Sequence, residues 1–260
     1  MKSILFALLL ALHYTCIAQD ASELYAETNI ANLNLNTQNS WSIINNPAGV
    51  SKIEKINIGL FFKNHFLLDD FSTQLITAAF PLKKSLCLGA YLFRFGNNYF
   101  SKNEISSALS LPINEKIALG AQIHCQFIYQ SDLENRYNAM PSIGLTYLLN
   151  NNFQISSSFK NFFKKNSNNE KQFFRIGCSY LFDKKVKCHF QSIFSNRKYP
   201  IIGLAIDYKL QEKISFKFNI SNNDQPFHFG ISYLIKSIFI SIDLGYHQQL
   251  GFSPSCSISL

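Results

Sequence analysis

The sequence predicts an all-β protein: a transmembrane up-and-down antiparallel β-barrel of about 14 strands, with a short irregular N-terminal segment. Three observations predict it. After residue 53 the chain is a series of strand-length segments in which apolar and polar residues alternate. Short and longer connections between these segments follow one another in turn. Within the segments, charged residues fall on the face opposite the apolar one.

The chain opens with Lys2, an apolar run over residues 4–12 and small residues at Cys16-Ile17-Ala18, the pattern of a cleaved export signal. The run is too short for a membrane helix, which needs about 20 apolar residues. Residues 1–19 are therefore expected to be a signal peptide, residues 20–52 a lead-in or plug, and residues 53–260 the barrel. The lead-in is polar and rich in Asn, with Trp41, Ile43 and Ile44 and then the turn-forming Asn46-Pro47 and Ala48-Gly49. Its apolar residues predict that part of it is tucked against something.

Composition supports this reading and excludes others. Phe and Tyr number 25 and 12 against a single Trp, and charged residues make up only 15%, where an average globular chain carries roughly 25%. The net charge of +8 comes from lysines scattered between strand-like runs, including Lys83, Lys84, Lys116, Lys184, Lys185, Lys213 and Lys236. They form no single basic face, and no nucleic-acid-binding motif accompanies them. Loss of Cys16 with the signal leaves five cysteines, an odd number in an exported chain. Cys125, Cys178, Cys188 and Cys256 fall on apolar faces, and Cys87 is expected there too, so all read as small hydrophobes rather than a disulfide framework.

The strands are expected near residues 56–62, 72–80, 86–95, 104–112, 116–130, 141–149, 153–160, 172–182, 186–194, 200–209, 213–221, 227–235, 238–247 and 253–260. Short turns are expected at 81–85, 112–115, 150–152, 183–185, 211–213 and around Lys236. Longer polar links are expected at 63–71, 96–103, 131–140, 161–171, 196–198, 222–226 and 248–252. Tight turns at one end and longer loops at the other are the habit of an outer-membrane barrel. A soluble β-sandwich, whose strands also alternate, would scramble this order.

Individual strands show the two faces. Ile117, Leu119, Ala121, Ile123, Cys125, Phe127 and Tyr129 oppose Ala118, Gly120, Gln122, His124, Gln126 and Ile128. Ile238, Ile240, Ile242, Leu244 and Tyr246 oppose Phe239, Ser241, Asp243, Gly245 and His247. A Lys or Arg facing lipid at the bilayer midplane costs about 2–4 kcal/mol. His124, Arg175, Lys187, Asp207, Lys217, Asp243 and His247 avoid lipid by facing a polar lumen, where they are expected to pair with each other and with water. Tyr91, Tyr129, Tyr147, Tyr180, Phe182, Tyr208 and Tyr246 sit near strand ends, where an interfacial aromatic girdle belongs.

No catalytic motif is present: there is no GxSxG, no HExxH and no phosphate-cradling glycine loop. Neither a metal site nor a cofactor site is predicted, and a non-enzymatic role is expected.

The Asn46-Pro47-Ala48-Gly49 motif before the first strand resembles the NPAG signature of barrels related to the FadL fatty-acid transporter, a group that includes the PorV and PorQ proteins of the Bacteroidetes type IX secretion system. The closing Tyr246-His247-Gln248-Gln249-Leu250-Gly251-Phe252-Ser253-Pro254 is similar to the end of PorV/PorQ-like proteins. This resemblance implies an outer-membrane barrel whose N-terminal segment packs in or under the lumen. It also implies association with type IX secretion or surface attachment, with secretion-system or cargo proteins contacting the loops at 131–140 and 161–171. The alternative it leaves open is a FadL-like passive channel for hydrophobic small molecules. That alternative predicts an apolar pocket lined by Trp41, Ile43 and Ile44, and a tightly filled polar lumen would count against it. A purely structural surface barrel makes no ligand prediction.

Overall fold

A computed structural model describes residues 39–68, 70–82, 86–131, 133–162, 172–195, 199–223 and 225–260. The expected signal peptide at 1–19, the lead-in from 20 to 38, Lys83 and Lys84, and the greater part of the link at 161–171 lie outside the described residues, as does the link at 196–198.

Fourteen strands follow one another: β1 (Asn57–Asn64), β2 (Ser72–Pro81), β3 (Cys87–Gly96), β4 (Phe100–Pro112), β5 (Ile117–Gln130), β6 (Arg136–Leu148), β7 (Phe153–Lys160), β8 (Phe173–Asp183), β9 (Val186–Ser195), β10 (Ile201–Lys209), β11 (Ile214–Ser221), β12 (Phe227–Ile235), β13 (Ile238–His247) and β14 (Gly251–Ser259). Each pairs antiparallel with its neighbours in sequence, and β1 pairs with β14 from Gly59↔Ser259 to Lys63↔Ser255, so the sheet closes into a barrel. Closure leaves no unpaired strand edge. One end carries the connections β2–β3, β4–β5, β6–β7, β8–β9, β10–β11 and β12–β13, here called the turn end; the other is the loop end.

The alternation is sharp. Leu60, Leu92, Ile105, Leu119, Ile123, Leu204, Phe229 and Ile242 are exposed on the outer face. An apolar surface wrapping the whole barrel suits hydrocarbon and not water. Arg94 faces outward at the loop end of β3, opposite Gln74 and Asn103, where the outer face turns polar. The strand charges Lys63, Lys102, Glu104, Lys160 and Arg175 are buried inside.

The structure differs from the sequence-based expectation at three strand starts and two side chains. Strands β4, β6 and β14 begin at Phe100, Arg136 and Gly251, two to five residues earlier than expected. Residues 101–103 and 136–138 are too polar to read as membrane strand, yet they extend the ladder at the loop end, where water can meet them. The β3–β4, β5–β6 and β13–β14 connections are accordingly shorter than expected, and part of the 131–140 link is strand. Cys87 faces inward and is buried, its Sγ donating to the Phe80 carbonyl, 3.4 Å. Tyr91 belongs to no girdle: it points into the lumen and is buried, because β3 turns its Cys87, Gly89, Tyr91, Phe93, Phe95 row inward. All five described cysteines are unpaired.

Candidate functional site

The lumen is the candidate site, and the end of the lead-in shapes it. Residues 40–50 form two 3-10 helical turns, Ser40–Ile44 and Pro47–Val50, inside the turn end of the barrel. The sequence builds the second turn locally. Pro47, with its fixed φ and missing N–H, starts it, and the Asn46 Oδ1 caps it by accepting from the Ala48 N–H, 2.9 Å. The Gly49 N–H closes onto the Asn46 carbonyl at 3.0 Å.

Asn46 is also the anchor to the wall. Its Nδ2 donates to the Leu145 carbonyl at 3.1 Å and to the Thr146 Oγ1 at 3.2 Å. The Ser158 hydroxyl donates to the Asn45 carbonyl, 2.6 Å, and the Ser110 hydroxyl to that of Ala48, 3.2 Å. Two wall glycines let the plug come this close. A Cβ on Gly120 would stand 2.4 Å from the Pro47 and Ala48 backbone, and one on Gly144 would stand 1.9 Å from the Asn46 Oδ1. The NPAG residues therefore act together as a structural pin on β4–β6.

Trp41, Ile43 and Ile44 do not line an open pocket. Ile43 is fully buried, and its Cδ1 lies 2.5 Å from where a Cβ on Gly89 would be. Trp41 stands edge-on to Phe61, 6.5 Å between rings. These residues form the foot of a packed apolar column. It continues through Val50, Phe61, Leu75 and Phe93 to Phe95 at the loop end, where Phe71 and Phe100 join it. The column lies on the inner face of β1–β4, because Phe61, Leu75 and Phe93 occupy facing register positions.

Beside the column is a buried polar network on β3–β7. Glu104, 4% exposed, receives the Lys160 ammonium at 3.0 Å, the Gln126 Nε2 at 3.3 Å and the Tyr91 hydroxyl. His124 Nδ1 is 3.0 Å from Glu104, and its Nε2 is 2.8 Å from the Ser142 hydroxyl. A buried carboxylate costs heavily unless paired and hydrogen-bonded, and these partners offset that cost.

The loop end is latched. Gln225, fully buried, accepts from Lys63 Nζ at 2.8 Å and donates to the Ser253 hydroxyl at 3.1 Å. That hydroxyl also accepts from the Phe66 N–H, 3.0 Å. Phe66 and Leu67 both have positive φ, 60° and 58°, which costs a non-glycine residue about 1 kcal/mol or more. This strained turn points Phe66 at the His247 ring, 5.4 Å away, and tucks His65 under it against Thr73, 2.8 Å. Burial, and then the Lys63 ammonium, push the His65 imidazolium down to about 3, so the ring is neutral at ordinary pH.

Each lumen residue expected from the sequence is on the inner face, but the structure does not bring them into one cluster. His124 joins the Glu104 network. Arg175 is 2% exposed and lies 5.6 Å from the Phe173 ring centroid. Lys187, Asp207 and Lys217 face one another across β9–β11, with His189 Nε2 3.2 Å from Asp207. Asp243 accepts from the Ser241 hydroxyl, 2.9 Å. His247 is the last residue of β13 at the loop end, its Nδ1 accepting from the Gln249 and Leu250 N–H groups. The sequence reading missed Lys63, Glu104, Lys160 and Gln225. The first three were findable as charges on the inward phase of their strands. Gln225, in a polar loop, carries no such signal. Among the described residues, no group of three His, Cys, Asp or Glu is placed to hold a metal.

No protein-family model matches this chain, and no curated protein does. Solved structures do match. The Pseudomonas putida toluene transporter TodX covers 86% of this chain and 92% of its own, at TM-score 0.59 and 10% identity. The Ralstonia pickettii toluene transporter TbuX matches at TM-score 0.59 and 10% identity, over 85% of this chain and 92% of its own. A Pseudomonas aeruginosa FadL homologue matches at TM-score 0.57 and 9% identity, over 85% and 93%. At such identities the likeness is one of fold: this chain shares the closed, 14-stranded antiparallel barrel of these structures.

Proposed function

We propose that the protein is a non-enzymatic outer-membrane barrel that lets hydrophobic small molecules pass, seen here with both ends of its apolar route closed. The observation that carries this reading is the apolar column from Ile43 at the turn end to Phe71 and Phe100 at the loop end. A barrel with a merely structural role could fill its lumen with polar pairs throughout, as β5–β8 do. An unbroken apolar lane along β1–β4 instead matches a solute that sheds water. The fold shared with toluene transporters supports the same reading. Orientation follows from the connections, with the turn end in the periplasm and the latch outside. Passage would require two contacts to yield: the plug turn whose Trp41 and Ile43 pack on the foot of the lane, and the latch turn whose His65 ring packs on Phe71 and Phe95.

A role in type IX secretion rests on the NPAG motif and the closing segment. The motif's contacts serve the plug, so the column favours the channel reading over it. The test is uptake of radiolabelled toluene by cells whose lipopolysaccharide leaflet slows bare hydrocarbons. Cells expressing the full chain should take it up faster than vector controls, with no gain for a sugar of similar size. Equal toluene uptake in both would overturn the proposal.

A further inference from the structure

The plug covers only part of the turn end. Its two helical turns pack on β1–β6 and bond to β7, and across the lumen a cavity of 320 Å³ opens among β8–β13. That is at the lower end of the roughly 300–1,000 Å³ of small-molecule pockets. Its composition is amphipathic. Leu181, Leu234 and Phe239 come from inward positions on β8, β12 and β13. Phe239 is 50% exposed although it sits on the wet phase of its strand. The facing rim carries Lys184, Lys185, Lys209 and Lys213, all exposed. No carboxylate among the described residues lies within ion-pair distance of these four ammonium groups. Glu212 is on the rim as well, and Asp207, deeper, is engaged by His189.

An inward-facing phenylalanine exposed beside four unmatched cations is poorly explained by solubility or by lipid. Lysines placed only to wet the turns would have no use for an apolar floor, and a hydrocarbon alone would have no use for the lysines. We infer that this half-vestibule binds an amphiphile with a single anionic head group, a carboxylate or phosphate, its tail on Leu181, Leu234 and Phe239 and its head among Lys184, Lys185, Lys209 and Lys213. The inference goes beyond the channel reading, since a ligand arriving from the turn-end side could occupy the site without crossing the lumen.

The test uses the full chain in phosphatidylcholine nanodiscs, photolabelled with a diazirine-bearing dodecanoate and mapped by mass spectrometry. Adducts are expected at Leu181, Leu234 or Phe239. Dodecanoate and dodecyl phosphate should compete at concentrations about tenfold lower than dodecanol, and the stronger of the two identifies the head group. Replacing Lys184, Lys185, Lys209 and Lys213 together by Gln should weaken labelling about tenfold, and Phe239→Ser should weaken it independently. Retained heat-modifiable gel migration shows that each variant is folded. Equal competition by dodecanol, unchanged labelling of the folded lysine variant, or adducts confined to lipid-facing residues such as Phe218 and Phe229 would overturn the inference. Toluene uptake, measured separately, reports only on the channel: labelling without uptake sinks the channel and leaves this site standing, and uptake without labelling does the reverse.

Discussion

The two halves of the barrel solve the problem of a wide lumen differently. On β1–β7 the inner wall is buried, by the plug at the turn end, by the apolar column along β1–β4 and by the Glu104 network beside it. On β9–β14 the inner residues Lys187, Asp207, Ser215, Lys217, Asp243, Ser255 and Ser257 are only half-buried. Small wall residues make the difference. Gly120, Ser110 and Ser158 admit backbone from the lead-in and Gly144 admits the Asn46 and Pro47 side chains, whereas Gly230 and Gly245 are approached only by side chains of the barrel itself. The filled half behaves as a protein core with ions in it; the other is buried at His189, Gln191, Asn219 and His228 but more open toward the turn end. The same kind of substitution should therefore cost much more on one side than on the other.

Removing a carboxylate tests this most strongly. Glu104→Gln leaves the buried Lys160 without its counter-charge and should cost about 3–5 kcal/mol, read from the urea midpoint in micelles. Asp207→Asn, whose side chain is 23% exposed, should cost no more than about 1 kcal/mol. Equal losses would erase the distinction between the halves. Glycine replacement comes next. Gly120→Ala drives a Cβ into the Pro47 and Ala48 backbone and should cost about 1–3 kcal/mol, with faster tryptic cleavage after Lys52 as the plug lifts. Gly230→Ala meets the end of the Asp243 side chain, 1.9 Å away, which can swing aside, so its melting temperature should barely change.

Asn46→Ala sharpens the account of the plug. It deletes two donated bonds and one accepted bond and should weaken docking by about 1–3 kcal/mol, again exposing Lys52 to trypsin. Were cleavage unchanged, the pin would lie elsewhere. The smallest effect concerns the latch, which ties the two halves together at the loop end. His65 in the folded protein titrates near 3, below its ordinary 6.5. Its neutral form is therefore favoured by folding: the stability it supports is whole above pH 6.5 and is lost as pH falls toward 3. Between pH 6.5 and 5.5 the loss should reach on the order of 1 kcal/mol. His65→Phe should flatten that acid limb, and an unaltered limb would dissociate the latch from His65.

Much of this architecture is legible in the chain. The period-two pattern located all fourteen strands, and it turned Arg175, Lys187 and Lys217 inward, because a strand side chain has only two directions to take. Pattern failed where composition and geometry part company. Tyr91 and Cys87 look like outer-face residues by type, yet their strand phase turns them in. Residues 101–103 and 136–140 look like loop by polarity, yet they continue the ladder beyond the lipid. The site was legible only in fragments: NPAG pointed to a plug but not to what it touches.

By itself the sequence determined the strand count, the two faces and the alternation of connections, since each is a local property of neighbouring residues. Tertiary structure alone decided that Asn46 meets Thr146, 100 residues away, and that Lys63 meets Gln225, 162 residues away. It also decided that one half of the lumen is filled while the other keeps a cavity. The reason is physical: barrel closure and the path of the lead-in set which inward side chains face each other across the lumen, and no one-dimensional pattern encodes those distances.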